Sequence, residues 1–314
     1  MPRSEFSLIA EFFAPLATSK GALGLKDDVA LLHPRAGREL VLTTDAIIAG
    51  VDFFANDPPD TIAQKALRVN LSDLAAKGAE PFGYLLTLCL PKNIGAKWLR
   101  AFTRGLARDQ KAFGITLLGG DMSSTPGPLT ISVTALGTVP KGRAILRRGA
   151  KDGDLVFVSG TIGDSGGGLA ALKAKRRAPF LIDRCRVPQP RVALGNALRG
   201  IASAALDVSD GLIADLGHLA DVSKVHVAIV ATRVPLSAAL RKAQGDVAAA
   251  VTAGDDYEIA FTAPRAKRAK VLAAAKESNT TATEIGWVMP GRGVALLGAD
   301  GRAMKIATKG WEHF

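Results

Sequence analysis

The chain has 314 residues, 48% of them hydrophobic and 22% charged, which allows two ordinary domains with substantial cores and excludes wholesale disorder. Its formal net charge of +11 invites a nucleic-acid reading, but Lys and Arg come in small separated groups and aromatic residues make up only 5%. The two cysteines, Cys89 in an apolar run and Cys185 in a polar stretch read as a loop, form neither a disulfide framework nor a zinc site.

The first segment reads as an amphipathic helix with Ser4 as N-cap; Glu5 and Glu11 fall where a signal peptide would be apolar. No run approaches the roughly 18 apolar residues of a membrane span. The expectation is a cytoplasmic protein in a reducing compartment, with neither membrane nor nucleic acid as partner. Asp27 and Asp28 precede the apolar run Val29 to Leu32, expected as an edge strand beside residues 39–44. Leu40, Val41 and Leu42 read as a buried strand that stops at Thr43, Thr44 and Asp45, at the carboxyl edge where open α/β sheets bind ligands. Two hydroxyls and a carboxylate are hard oxygen donors suited to Mg²⁺; a turn or N-cap role for Asp45 is the plainer alternative.

Pro58 and Pro59 open a helix expected over residues 60–77. Its apolar stripe Ile62, Ala66, Val69 continues to Asp73, with Asn70 on nearly the same face. A carboxylate in that stripe needs a partner, either a metal or a salt bridge to Arg68 or Lys77. A strand over 84–90, a helix over 94–113 and a strand over 115–118 then lead to Gly119-Gly120-Asp121, read as a second strand-end carboxylate on a turn that admits a ligand to the backbone. A strand over 129–139 closes this half, and turn-forming, basic sequence follows it.

The second half opens with a strand over 155–158 and the stretch SGTIGDSGGG, a candidate anion cradle at a helix N-terminus that lacks the Walker lysine. A strand at 204–206 runs into Asp207-Val208-Ser209-Asp210-Gly211, where Ser209 or Asp210 could cap the next helix. A strand over 225–230, a short helical region, the acids of GDDYE, a strand from Ile259, a helix over 264–276 and strands over 283–288 and 294–297 complete the pattern. The fold class is therefore α/β (mixed α+β), with two similar-sized domains, 1–140 and 141–314, of mixed sheets covered by helices.

Asp28, Asp45, Asp73, Asp121, Asp207 and Asp210 each have a local explanation, but five lie beside a strand and the sixth on an apolar helix face. Together in one site they would need several divalent cations, and several Mg²⁺ ions point to polyphosphate chemistry. The four histidines show no metal-ligand spacing, and neither GxSxG nor a Cys/His nucleophile pair is present.

The ordered set KDDVALL, LTTDAIIAGVDFF, ALRVNLSDLAAKGAEP, LLGGDMSS, SGTIGDSGGGL, RVPQPR, LDVSDGLIADL, GDDYE and KGWEHF resembles the bacterial thiamine-monophosphate kinase family, in the superfamily of aminoimidazole ribonucleotide synthetase, over essentially the whole chain. The resemblance implies ATP-dependent phosphorylation of thiamine monophosphate to thiamine diphosphate in a multi-Mg²⁺ site, in a homodimer that pairs through the N-terminal sheet. By motif, it places Mg²⁺ at Asp28, Thr43, Thr44, Asp45, Asp73, Asp121, Asp207 and Asp210, and nucleotide contacts at Gly120, Asp121, Arg147 and Ser209. Substrate positions fall on Asp52, Asp255 and Trp311. Three residues depart from the family pattern: Asp52 stands for a usual His, Asp255 for a Glu, and Lys26 for a common Gly. The alternatives are another ATP-dependent enzyme of the superfamily with a different phosphorylated substrate, or a basic nucleic-acid-binding protein. Selenophosphate synthetase and hydrogenase-maturation relatives are disfavoured because the cysteines they use are missing.

Overall fold

The computed structural model describes residues 5–33, 35–243, 245–306 and 310–311. Two compact units emerge: residues 1–74 with 80–142, and residues 75–79 with 143–314.

The first unit begins with short helical pieces, α1 (Glu5–Leu8), a π-turn at Ile9–Phe13 and a 3-10 turn at Ala14–Leu16, where one continuous amphipathic helix is expected. Pro15 explains the break, because it removes a backbone donor within the third turn. Ser4 lies outside the described residues. The expected strand at Val29–Leu32 is absent: both Val29 and Leu31 are exposed, and Leu31 donates its N–H to the Gly21 carbonyl. β1 (Arg38–Ile48) pairs antiparallel with β4 (Thr130–Pro140), and β2 (Glu80–Pro91) joins β4 to β3 (Thr116–Thr125), giving the mixed order β1-β4-β2-β3.

β1 does not stop at Thr43; it carries Thr43, Thr44 and Asp45 in its middle. Leu40 and Leu42 are exposed on one face while Ile47 is buried on the other, as a period-two strand at the edge of a half-covered sheet requires. α2 (Pro59–Ala76) and α3 (Ala96–Phe113) supply the apolar side, with Leu67, Leu71, Phe102 and Leu106 sealed from solvent. The Gly119-Gly120-Asp121 run likewise lies inside β3 rather than after it. Gly120 has φ +155°, and a Cβ there would come within 1.8 Å of the Leu86 carbonyl oxygen. Strand pairing by itself demands the glycine.

The second unit is a six-stranded sheet in the order β10-β7-β9-β5-β8-β6. In chain order its elements are β5 (Asp154–Ser159), α4 (Asp164–Lys173), α5 (Pro179–Arg186), α6 (Val192–Ala197), β6 (Ala204–Asp207), α7 (Leu212–Ser223) and β7 (His226–Val230). After these come α8 (Ala238–Lys242), α9 (Val247–Thr252), β8 (Ile259–Pro264), α10 (Arg268–Glu277), β9 (Ala282–Met289) and β10 (Gly293–Leu297). β5 is central and buried at every position, which its unbroken apolar run specifies. Val156 and Val158 belong to one core on one face of β5, and Leu155 and Phe157 to a second core on the other. Phe157 stacks on Phe261 of β8 at 5.3 Å, and burial of each ring is worth roughly 2–3 kcal/mol. Cys185, expected in a loop, is buried in α5, and Cys89, expected in the core, is half-buried in β2.

Candidate active site

In the first unit, the strand alternation puts Thr43 and Asp45 on the face that meets α2. Asp73 comes from the last turns of that helix, and its Oδ2 accepts the Thr43 hydroxyl at 2.5 Å. Asn70, one turn earlier and fully buried, accepts the Asp45 backbone N–H at 3.1 Å and donates to the Ala66 carbonyl. The helix thus fixes the strand at the residue that carries the carboxylate. The salt bridges considered for Asp73 are not formed: Arg68 joins Asp109, and Lys77 donates to the Ala205 carbonyl. Among the described residues neither Asp45 nor Asp73 has an ion pair. Burial first, then the charges of Asp73 and Asp52, push the Asp45 carboxyl up to about 6. Crowded carboxylates with a hydroxyl beside them and no ion-paired cation among the described residues fit a hard divalent ion.

Thr44 and Asp121, also expected as ligands, stand apart from this pair. Thr44 faces the opposite side of β1, donating to the Val133 carbonyl and accepting from Thr134. Asp121 is exposed and accepts from Ser123. Its row across the sheet runs through Thr87 and Ser132 to Ala46, which places it three strands, or about 14 Å, from β1. Asp28 is exposed. Among the described residues, no three His, Cys, Asp or Glu side chains are arranged to hold a metal ion. Mg²⁺ commonly takes one or two protein carboxylates and completes its shell with water and substrate phosphates, so this set suffices.

Asp52 has a local task. Its Oδ2 accepts the Ile48 N–H at 2.7 Å, and its carbonyl accepts the buried Lys65 ammonium at 2.7 Å. It closes the turn after β1 and leaves its charge within reach of Asp45.

In the second unit, Asp207 ends β6 and is buried, and the chain turns at Val208–Gly211 into α7. Neither Ser209 nor Asp210 caps the helix. Gly211 occupies that position with φ +116°, where a Cβ would press on the Thr252 backbone. Asp215 Oδ2 instead reaches back to accept the N–H groups of Ser209, Asp210 and Gly211. Burial and then the Asp210 charge push its carboxyl up to about 7, against the lowering effect of those three bonds. Asp255 and Trp311 lie on the same loop through backbone bonds to the Ser209 and Asp210 carbonyls, and Trp311 is 58% exposed. Lys309 and the residues after Trp311 lie outside the described residues. Arg147 is exposed, without a hydrogen bond or ion pair among the described residues.

The glycine-rich cradle is already filled. Asp256 Oδ2 accepts the Gly163 N–H at 2.7 Å and Oδ1 that of Ser165 at 3.4 Å, at the start of α4. Burial pushes this carboxyl well above the ordinary range, opposed by those N–H groups and by Arg184. Next to it, the fully buried Glu258 is held by Arg184, by Nε and Nη2 of Arg191 and by Ser159. An internal carboxylate takes the place offered to a phosphate.

The AIR synthase related protein N-terminal domain matches residues 26–139 and its C-terminal domain matches residues 151–298. A thiamine-monophosphate kinase of Caulobacter vibrioides is 42% identical, covering 99% of this chain and 91% of that protein. The solved thiamine-monophosphate kinase of Stenotrophomonas maltophilia is 40% identical with a TM-score of 0.86, covering 96% of this chain and 98% of that one. AaThiL, solved in complex with AMPPCP and TMP, is 34% identical with a TM-score of 0.80, covering 99% of this chain and 97% of that one. The chain belongs to the thiamine-monophosphate kinase family.

Two residues of the site region receive no role from the sequence, although Asn70 is noted there and Asp215 carries a signal of its own. Asn70 shares the helix face of Asp73, but only the register of β1 shows what it binds. Asp215 lies five positions after Asp210, within one helical turn of Gly211, where acids reach back to free N–H groups.

Proposed function

We propose that this protein transfers the terminal phosphoryl group of ATP to the phosphate of thiamine monophosphate, giving thiamine diphosphate and ADP. The observation that carries this reading is the Asp45 and Asp73 pair, set on Thr43 and Asn70 without an ion pair among the described residues, in a chain of this family. The acceptor is a phosphate oxygen already anionic at neutral pH, so no general base is required. The barrier comes from bringing two polyanions together in line.

Asp45, Asp73 and Thr43 would hold Mg²⁺, with Asp28, Thr44, Asp121, Asp207 and Asp210 as further proposed ligands; the ions, when bound, supply charge cancellation. Gly120, Asp121, Arg147 and Ser209 are the proposed nucleotide contacts. Arg147, exposed and unpaired among the described residues, can present its fork of N–H groups to phosphate oxygens. Trp311 offers an exposed indole face to the cationic ring of thiamine, and Asp52 and Asp255 are acids favourable to that cation. Exposed Leu40, Leu42 and Leu85 on the outer face of the first sheet support a homodimer formed there. The proposal includes a cytoplasmic location; no helix among the described residues is long and apolar enough to cross a membrane.

The test is to incubate the purified protein with ATP, Mg²⁺ and thiamine monophosphate and to separate the products by chromatography. Thiamine diphosphate formed in step with ADP is expected; its absence at every Mg²⁺ concentration contradicts the proposal.

A further inference from the structure

The loop between β6 and α7 is fastened on two sides, peptide by peptide. On one side, Asp215 Oδ2 accepts N–H groups from Ser209 at 3.0 Å, Asp210 at 3.0 Å and Gly211 at 3.1 Å. On the other, the Val208 carbonyl accepts from Tyr257 N–H at 2.8 Å, that of Ser209 from Asp255 at 2.8 Å, and that of Asp210 from Trp311 at 2.9 Å. These are the same three peptide units. The C=O of Val208 and the N–H of Ser209 share one plane, and so on along the loop. Each plane therefore has its N–H on Asp215 and its C=O on a segment that carries a proposed substrate residue.

Peptide planarity makes the two sides interdependent. A plane that rotates away from Asp215 also turns its carbonyl away from Asp255, Tyr257 or Trp311. The partner segment is poorly able to hold itself: Asp255 and Tyr257 are non-glycine residues at φ +68° and +50°, a left-handed conformation that persists only where surroundings impose it. The Tyr257 hydroxyl adds a bond to Asp255 Oδ1 at 3.1 Å. Asp215 itself is buried in the first turn of α7, so its position follows from the helix and not from any ligand.

We infer that Asp215 is a positioning residue for the transfer reaction: through one carboxylate oxygen it sets the three peptide planes that place Ser209, Asp210, Asp255 and Trp311 together. The inference rests on the proposed function for what those residues contact. It makes Asp215 the link by which the nucleotide and metal positions of this loop are kept in register with the substrate positions.

The experiment compares wild type with Asp215→Asn and Asp215→Ala, below their melting temperatures, by steady-state kinetics and by hydrogen exchange with mass spectrometry. In wild type the amides of residues 209–211 should be protected. The alanine variant should lose turnover by at least roughly tenfold at saturating ATP and thiamine monophosphate. Exchange in residues 254–258, to which Asp215 gives no hydrogen bond, should quicken by roughly tenfold as well. Asparagine, which keeps an acceptor but not the charge, should fall between alanine and wild type in both. A folded alanine variant with turnover within about twofold of wild type, or with unchanged exchange at 254–258, overturns the inference. If neither variant folds, freely exchanging amides at 209–211 in the wild type overturn it and protected ones support it. Wild-type protein that forms no thiamine diphosphate contradicts the proposed reaction instead, and exchange at 254–258 still decides the coupling.

Discussion

Two groups of acids are treated in opposite ways, and the division does not follow the units throughout, since the buried Asp109 of the first unit is answered by Arg68. In the second unit Glu258 has two arginines and a serine, Asp256 has two backbone N–H groups, and Asp164 takes the hydroxyls of Thr161 and Ser237. In the first unit Asp45 and Asp73 have a hydroxyl, an aspartate neighbour and no cation among the described residues. An acid whose charge is answered inside the protein holds the fold together. One left unanswered is costly unless something arrives to answer it, and under the proposed function a divalent ion with its polyphosphate is what answers it.

The largest effect that sharpens this contrast is on stability. Glu258→Ala leaves two largely buried guanidinium groups without their carboxylate and should cost about 3–5 kcal/mol, seen as a melting temperature lower by on the order of 10 °C. An unchanged melting temperature would mean that the acids of the second unit are as unanswered as those of the first. Next in size, Asp45→Asn or Asp73→Asn should lower turnover at least tenfold, a barrier change of about 1.4 kcal/mol or more, in the chromatographic assay without unfolding the protein. Full activity would remove that residue from the metal site.

A smaller effect concerns pH. In the folded, metal-free protein the Asp45 carboxyl titrates near 6, against an ordinary 3.8, so the folded chain binds this proton more tightly than the unfolded chain does. The contribution is fully present below about pH 4 and lost as pH rises through 6, a fall of about 3 kcal/mol at most, roughly 2 of it between pH 4.5 and 7. Urea unfolding in chelator at pH 4.5 and 7 should show that slope in wild type and lack it in Asp45→Asn. The smallest change is at Asp52. Asp52→Asn keeps an oxygen for the Ile48 N–H and should leave stability within about 0.5 kcal/mol, whereas Asp52→Ala, which strands that donor, should cost about 1 kcal/mol by the same unfolding assay.

Most strands and helices were legible because their apolar periods were unambiguous: α2, α3, β5 and β9 lie within a few residues of the expected spans. The site acids were legible one at a time, as residues in positions where charge is costly. What the sequence leaves open is long-range partnership. Nothing local to Leu42-Thr43-Thr44-Asp45 says that the strand continues, because its pairing partner is β4, nearly a hundred residues away. The glycine-rich stretch at 160–168 has the pattern of an anion site, but the group that fills it is the carboxyl of Asp256, more than ninety positions along the chain. Asp52, an oddity by resemblance, is accounted for only when Ile48 and Lys65 are placed around it.

The central claim, that Asp45 and Asp73 are left unanswered so that a cation can answer them, is tested most directly by thermal melting in chelator and in Mg²⁺. Wild type should be stabilised by Mg²⁺, while Asp45→Asn should melt higher than wild type in chelator and gain little from the ion. An Asp45→Asn protein that melts lower than wild type in chelator, yet responds to Mg²⁺ as wild type does, would contradict the account.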